Sequence, residues 1–250
     1  FRTAEHAIDT AELSQLLIDA VQESPYIDFL PGRRVREVVP VNGYWRIEGS
    51  SSGGSWQLEA DQVVNALWEN RLAIDRTAGL PLQPGWLHRL KYRVIVALPD
   101  RLREAPSATM VIGPYGDVVV RPDGTGYLSW YPRGLQGWTH DVAPPESWNG
   151  PCRGEVSAAE FRSMAADVIR EIDAWYPGIG ESVPVQVDAG AIVAYGHTDV
   201  GDRKSALHDR SRIGVLSQDG YHSAEPGKLT TAPMVAQQAA ACVIGEAVPG

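Results

Sequence analysis

The chain has 250 residues, 44% of them hydrophobic and 21% charged, with a formal net charge of -9. That length holds one large domain or two small ones around a substantial core. The acidic balance argues against a nucleic acid or an anionic membrane surface as partner, because either favours a clustered basic face. No apolar run approaches the roughly 18–20 residues of a membrane span, and no secretory signal is present. Cys152 and Cys242 lie too far apart for a metal signature or a disulfide framework, so a reduced cytoplasm is the expected compartment. Phe1-Arg2-Thr3 runs straight into patterned sequence without an initiating Met, which reads as a cut through a longer protein.

The first predicted element is a helix over Asp9–Gln22, with Leu13, Leu16, Leu17, Ala20 and Val21 on one face and Asp9 and Glu12 at capping-box spacing. Strand-like runs follow at Ile27–Leu30, Val35–Val39, Tyr44–Glu48, Ser55–Leu58 and Gln62–Ala66. The stretch Gly49-Ser50-Ser51-Ser52-Gly53-Gly54 reads as a flexible turn. The middle of the chain is β-rich. In Lys91–Leu98, Tyr92, Val94 and Val96 alternate with Arg93, Ile95 and Ala97, and Thr109–Ile112, Asp117–Arg121 and Tyr127–Tyr131 continue the sheet. Pro122-Asp123-Gly124-Thr125-Gly126 supplies hairpin chemistry, and 132–154 reads as a long ordered loop. A second helix spans about Ser157–Trp175, capped by Ser157 and Glu160 and stopped by Pro177-Gly178. Its stripe is Phe161, Met164, Ala165, Val168, Ile169 and Ile172. Val183–Tyr195 and Ile213–Leu216 are further strands, and a last helix covers roughly Thr231–Ala247.

The most informative run is Ser211-Arg212-Ile213-Gly214-Val215-Leu216 followed by Asp219-Gly220-Tyr221-His222-Ser223-Ala224-Glu225-Pro226-Gly227-Lys228-Leu229-Thr230-Thr231-Ala232-Pro233. It reads as a strand, a small-residue loop and the N-terminus of an Ala-rich helix. Gly227 permits close backbone approach to a ligand. Thr230 and Thr231 can cap the helix, whose free N–H groups and dipole favour an anion or an electron-rich ring. The alternative for the same residues is a surface loop capped onto a packing helix, and the upstream glycine of a P-loop is absent.

Pro226-Gly227-Lys228-Leu229-Thr230-Thr231 resembles the Gly-Gly-Lys-Leu-Thr-Thr stretch of FAD-dependent glycerol-3-phosphate dehydrogenases. More broadly it is similar to the C-terminal flavin loop of the D-amino-acid-oxidase superfamily. Ala60-Asp61-Gln62-Val63-Val64-Asn65-Ala66 resembles the strand by which that family returns to its FAD sheet, and the segment 1–22 resembles what precedes it. The resemblance implies an α+β or α/β chain: an incomplete Rossmann-like FAD-binding part (1–67 and 211–250) and an antiparallel substrate sheet with flanking helices (68–210). It implies FAD as cofactor, seated by Asn65, Ala66, Gly220, Tyr221, His222, Gly227, Lys228, Leu229, Thr230 and Thr231. It further implies hydride removal from a C–N or C–O bond of a small anionic substrate, with an electron acceptor that no residue specifies. The family's opening Gly-x-Gly-x-x-Gly fingerprint is absent, so the pyrophosphate and adenosine lack their main seat. Leu67-Trp68-Glu69-Asn70-Arg71 stands where many relatives carry a glycine after Asn-Ala, and Tyr195-Gly196-His197-Thr198 where they often carry Arg-Pro.

By that resemblance the substrate wall draws on Arg89, Lys91, Tyr92, Arg93, Arg121, Tyr127, Trp130 and Tyr131. A forked arginine suits a carboxylate or phosphate, and aromatics exclude water. Tyr92, Arg93, Arg121 and His222 are the candidate catalytic residues. Each also has a plain structural reading, as a solvated strand residue or as core packing. His88, His197 and His208 are unclustered, and no metal is expected. Two other readings stay open: a non-catalytic module whose eight tryptophans face carbohydrate or protein, and an inactive truncated relative.

Overall fold

The computed structural model describes residues 2–4, 7–208, 213–225 and 227–246. Phe1, Ser211, Arg212, Pro226 and Ala247, all used in the sequence reading, lie outside the described residues. The fold is mixed α+β. Its first half comprises helix α1 (Thr10–Glu23), strands β1 (Arg34–Val41), β2 (Tyr44–Ser51), β3 (Gly54–Ala60) and β4 (Val63–Asn65), helix α2 (Arg71–Thr77) and strand β5 (Trp86–Ala97). Strands β6 (Ala108–Met110), β7 (Gly116–Val120) and β8 (Thr125–Trp130), helix α3 (Tyr131–Gly134), strand β9 (Leu135–Thr139) and helices α4 (Asn149–Cys152) and α5 (Ala158–Asp173) come next. Strands β10 (Val183–Tyr195), β11 (Gly214–Gln218) and β12 (Tyr221–Glu225) and helix α6 (Ala232–Ile244) complete the order.

The chain forms two compact units. One consists of 1–29, 89–137 and 145–191, and the other of 30–88, 138–144 and 192–250. The first unit is built on an antiparallel sheet in the order β10-β5-β8-β7-β6, with β9 also paired to β5. The alternation read in β5 sorts its residues as expected. Tyr92, Val94 and Val96 join Val118, Leu128 and Trp130 in a core that α5 closes with Ala165, Val168, Ile169 and Ile172. Phe161 and Met164 pack against that core from its edge. Register pairs Val94 with Leu128 and Ile95 with Tyr127, so Arg93 and Tyr127 belong to the opposite face. Ser157 Oγ caps α5 by accepting the Glu160 N–H at 3.2 Å. Beyond its end the Asp173 carboxylate accepts the N–H groups of Gly178 and Gly180 at 2.8 and 2.9 Å.

The second unit holds the meander β1-β2-β3 and a small sheet β11-β12-β4. Val38, Trp45, Ile74, Ala78, Leu80 and Tyr221 form its core. The expected flexible turn over 49–54 is tighter than its composition suggests. Strand β2 runs on to Ser51 and only Ser52-Gly53 turns, because Gly49, Ser50 and Ser51 pair with Trp56, Ser55 and Gly54; a Cβ on Gly49 would meet the Trp56 ring and the Arg34 carbonyl.

Other expectations are corrected. Ile27–Leu30 is no strand; it meets no partner strand and runs into Pro31-Gly32, where Gly32 has φ 71°. The loop expected over 132–154 contains β9 and two short helices. Helix α2 and strand β12 escaped the sequence reading. Helix α1 has its expected cap, with Asp9 Oδ1 accepting from Ala11 and Glu12 at 2.9 and 3.1 Å, yet it buries none of its residues.

Burial therefore separates two leucines that look alike in sequence. Leu128→Ala should destabilise the chain by about 2–5 kcal/mol, since it opens a cavity in a closed core. Leu16→Ala, at 60% exposure, should stay within about 0.5 kcal/mol. Urea unfolding of both variants checks the contrast, and equal costs would contradict the core assignment.

Candidate functional site

The sheet β11-β12-β4 sets the site. β11 and β12 form an antiparallel hairpin from Gly214↔Glu225 to Gln218↔Tyr221. The turn residues Asp219 and Gly220 have φ of 50° and 84°, the doubly positive geometry that Asp-Gly favours in two-residue hairpins. A Cβ on Gly220 would meet the Asp61 carbonyl at 2.7 Å. Strand β12 then runs parallel to β4, pairing Tyr221, His222 and Ser223 with Val63, Val64 and Asn65. In sheets of parallel strands, ligands bind beyond the carboxyl ends. Here that end carries Glu225 and the Gly227 turn on one strand and Ala66-Leu67 on the other.

Beneath this end lies a buried charged network. Arg71, at the start of α2, is only 6% exposed. Its Nη1 donates to Asp75 Oδ2 at 3.0 Å and Ser223 Oγ at 2.8 Å, and its Nη2 to Glu225 Oε2 at 2.6 Å. The guanidinium carbon stands 4.8 Å from the Trp86 ring centroid. Ser223 Oγ donates to Asp75 Oδ2 at 2.7 Å and the Tyr221 hydroxyl to Asp75 Oδ1 at 2.8 Å. Asn65 Nδ2 lies 2.8 Å from Asp75 Oδ1, 2.7 Å from the Tyr221 hydroxyl and 2.9 Å from the Arg71 carbonyl. Burial, then the neighbouring Asp75, raises the Tyr221 pKa well above the ordinary phenol value. A cavity of about 340 Å³ opens onto Arg71, Asp75, Trp86, Gly214, Ser223 and Glu225.

The turn itself is ordered by its neighbours. Gly227 has φ 67°, and a Cβ there would meet the Ile213 side chain at 2.6 Å. Its N–H donates to Glu225 Oε1 at 2.9 Å. Thr231 Oγ1 accepts the Lys228 N–H at 3.3 Å and donates to the Lys228 carbonyl at 2.9 Å. A short helical turn, Leu229–Thr231, leads into α6, which ends at Gly245 with φ 73°.

The residues expected to seat the cofactor therefore fall into three groups. Ala66, Gly227, Lys228, Leu229, Thr230 and Thr231 share the carboxyl end, and among them Ala66, Lys228, Leu229 and Thr230 are exposed. Asn65 and Tyr221 are interior, 3% and 0% exposed, and hold the network together. Gly220 and His222 sit at the amino end of β12, in the hairpin and strand that the sequence reading took for a loop. His222 Nε2 lies 2.7 Å from Gln62 Oε1 and Nδ1 lies 2.8 Å from Ser217 Oγ. A carbonyl oxygen can only accept, so Nε2 carries the proton and the Ser217 hydroxyl donates to Nδ1.

The candidate wall residues of the antiparallel sheet likewise divide. Tyr92 faces the α5 core, its hydroxyl donating to Glu160 Oε1 at 2.6 Å. Trp130 is buried and donates Nε1–H to Glu171 Oε2 at 2.6 Å. Neither reaches the face that carries Arg93, Arg121 and Tyr127. Those three line a second cavity of about 340 Å³ together with residues 7–10. Arg93 is committed there to Asp188, with contacts of 2.5 and 3.0 Å, and that bond raises its pKa. Arg121 has no ion pair among the described residues. Arg89 is buried, at 5% exposure. Lys91 Nζ stands 5.1 Å from the Tyr131 ring centroid.

Arg71, Asp75, Trp86, Ser223 and Glu225 were missed as site residues. The Arg71-x-x-x-Asp75 spacing was the available signal, since i,i+4 places both side chains on one helical face. Of the eight tryptophans only Trp138 is exposed, which does not suit an aromatic binding face. Among the described residues no group of three or more His, Cys, Asp or Glu could hold a metal, and no helix is long and apolar enough to cross a membrane.

The sequence matches no protein-family model and no curated protein. Solved structures do share its fold. A glycine oxidase from Geobacillus kaustophilus aligns at 13% identity over 86% of this chain and 49% of its own, with a TM-score of 0.59. A flavoprotein/dehydrogenase from Cytophaga hutchinsonii aligns at 13% over 95% and 55%, with a TM-score of 0.58. The p-nitrophenol 4-monooxygenase PnpA from Pseudomonas putida aligns at 13% over the same shares, with a TM-score of 0.57. The chain spans about half the length of these structures.

Burial lowers the pKa values of His88 and His222, so both favour the neutral form in the folded chain. Unfolded, they take up protons near pH 6.5; stability is therefore full above that value and falls as the pH drops toward the folded pKa values. A His88→Gln/His222→Gln double variant should flatten the decline in Tm between about pH 7.5 and 5.5. An unchanged slope would show that neither imidazole carries it.

Proposed function

We propose that this chain is part of an FAD-dependent oxidoreductase that removes a hydride from a C–N or C–O bond of a small, anionic amine or hydroxy substrate. The observation that supports it most is the position of the Gly227 turn. It lies at the carboxyl end of a parallel strand pair, with a helix N-terminus and an exposed lysine beside it. Those donors suit the polar edge of an isoalloxazine ring, where partial negative charge collects. In this reading Ala66, Lys228, Leu229, Thr230 and Thr231 hold the ring, and Asn65 and Tyr221 support them from below. In this reading the unit formed by 30–88, 138–144 and 192–250 is the FAD-binding part and the unit formed by 1–29, 89–137 and 145–191 the substrate part, which redraws the boundaries expected from the sequence, 1–67 and 211–250 against 68–210.

The residues present fit the ring end of the cofactor and not its pyrophosphate end, for which no Gly-x-Gly-x-x-Gly segment exists in the chain. When bound, the flavin supplies the electron sink for hydride transfer. The chain's own contribution is orientation and charge. With a flavin bound, Lys228 would supply a cation and the first helical turn backbone donors that need no reorganisation. In the other unit Arg121, without an ion pair among the described residues, lines a cavity with Tyr127, and a guanidinium suits an anion. The choice between amine and hydroxyl falls to a substrate screen on the protein that the whole reading frame encodes.

That protein should purify yellow, with the visible absorption bands of bound flavin, whereas these 250 residues alone should be colourless. Gly227→Val in the longer protein should abolish flavin retention, because it combines a left-handed backbone with a side chain driven into Ile213. Stoichiometric flavin in that variant, or in the 250-residue chain alone, would contradict the assignment.

A further inference from the structure

The Gly227 turn is tied to α2 through one side chain. The two carboxylate oxygens of Glu225 hold different partners, Oε1 accepting the Gly227 N–H at 2.9 Å and Oε2 accepting Arg71 Nη2 at 2.6 Å. Arg71 has no freedom to shift. Its other nitrogen bonds Asp75 and Ser223, and its flat face lies against Trp86. Glu225 itself is 8% exposed. Such a charge-assisted bond is shorter and stiffer than a neutral one, and here it fixes a glycine whose backbone would otherwise sample many conformations.

The same contacts decide which amides remain for a ligand. The Gly227 N–H is taken by Glu225 and the Lys228 N–H by Thr231. The next two amides, Leu229 and Thr230, open the helical turn, where no intrahelical acceptor exists. We infer that Glu225, anchored by Arg71, is a positioning residue: it withdraws the glycine amide from the ligand and aims the amides of Leu229 and Thr230 at it. The geometric part stands on this chain alone; its consequence for a flavin rests on the function proposed above.

Two measurements on the 250-residue chain keep these parts separate. The first is amide hydrogen exchange, residue by residue, without any flavin. Glu225→Ala removes both bonds and should speed exchange at Gly227 about tenfold, the loss of a hydrogen bond to a charged acceptor. Amides in β4 and β12 should stay within about twofold. Glu225→Gln keeps an oxygen for the Gly227 N–H while losing the ion pair, and should fall between wild type and the alanine variant. Unchanged exchange at Gly227 in a folded alanine variant, or acceleration spread evenly through the sheet, would overturn the proposal. Should that variant fail to fold, Ser223→Ala removes one contact to Arg71 and should give a smaller acceleration at the same amide; none would count equally against it.

The second measurement is quenching of riboflavin fluorescence at high protein concentration. Wild type should bind weakly, and Glu225→Ala should weaken binding about tenfold further, with the glutamine variant between. Equal affinities across the series would sink the positioning role. Absence of any quenching, with the exchange pattern as expected, would sink the flavin reading and leave the latch standing.

Discussion

A buried guanidinium shared between two carboxylates, Arg71 with Asp75 and Glu225, is what the geometry at the carboxyl end of β12 depends on. Taking three charges out of water is costly, and the attraction among them repays that cost only when every donor and acceptor is placed well. The surroundings meet that condition. Ser223, Tyr221 and Asn65 bond Asp75, the Gly227 amide completes Glu225, and Trp86 covers the guanidinium. Removing one partner of such a set costs about 3–5 kcal/mol, mostly because the remaining charge is stranded. The network also joins two stretches far apart in sequence, β4 with α2 on one side and the end of β12 on the other, so it acts as a register pin for the small sheet.

Parity along β5 separates core-facing from cavity-facing residues in the other unit. Adjacent positions of a strand point to opposite faces, so Tyr92 and Arg93 cannot serve one site although they are neighbours in sequence. Tyr92 is drawn into the α5 core and bonded to Glu160, and burial, then that bond, raises its pKa. Arg93 faces the other way with Tyr127 and is satisfied by Asp188. Arg121, without an ion pair among the described residues, lines the same cavity as both. The sheet thus offers one committed and one open arginine within a single cavity.

Much of this was legible in the sequence where local chemistry decides. Asp9 and Ser157 announce caps and Pro122–Gly126 a turn, and the periodicities of Lys91–Leu98 and Phe161–Ile172 name the faces they bury. Elements decided by distant partners were hidden. Strand β12 looks like a loop because Tyr221, His222, Ser223 and Glu225 mix polar and aromatic types; each is buried only because β4, β11 and α2 supply its partner. Helix α2 is short, and its two buried charges break the apolar stripe that would reveal it. The exposed stripe of α1 shows the converse limit, since amphipathic pattern predicts a helix without saying what covers it.

The length of β12 decides which of the expected flavin-loop residues can act together. Five strand residues advance about 13 Å, so Gly220 and His222 at its start cannot join Gly227 and Lys228 at its end in one contact with a single ring edge. The pairing at the start is complete without a ligand. Trp45 Nε1 donates to the Asp219 carbonyl at 2.9 Å and Gln62 fixes the His222 tautomer, while desolvation keeps the imidazole neutral. At the far end the pattern reverses, with exposed Lys228, Leu229 and Thr230 following a buried strand. The described side chains are thus hydrogen-bonded at the amino end of β12 and exposed beyond its carboxyl end. His222 is held within the hairpin by Gln62 and Ser217, and the exposed residues of this sheet's carboxyl end follow the turn that Glu225 holds.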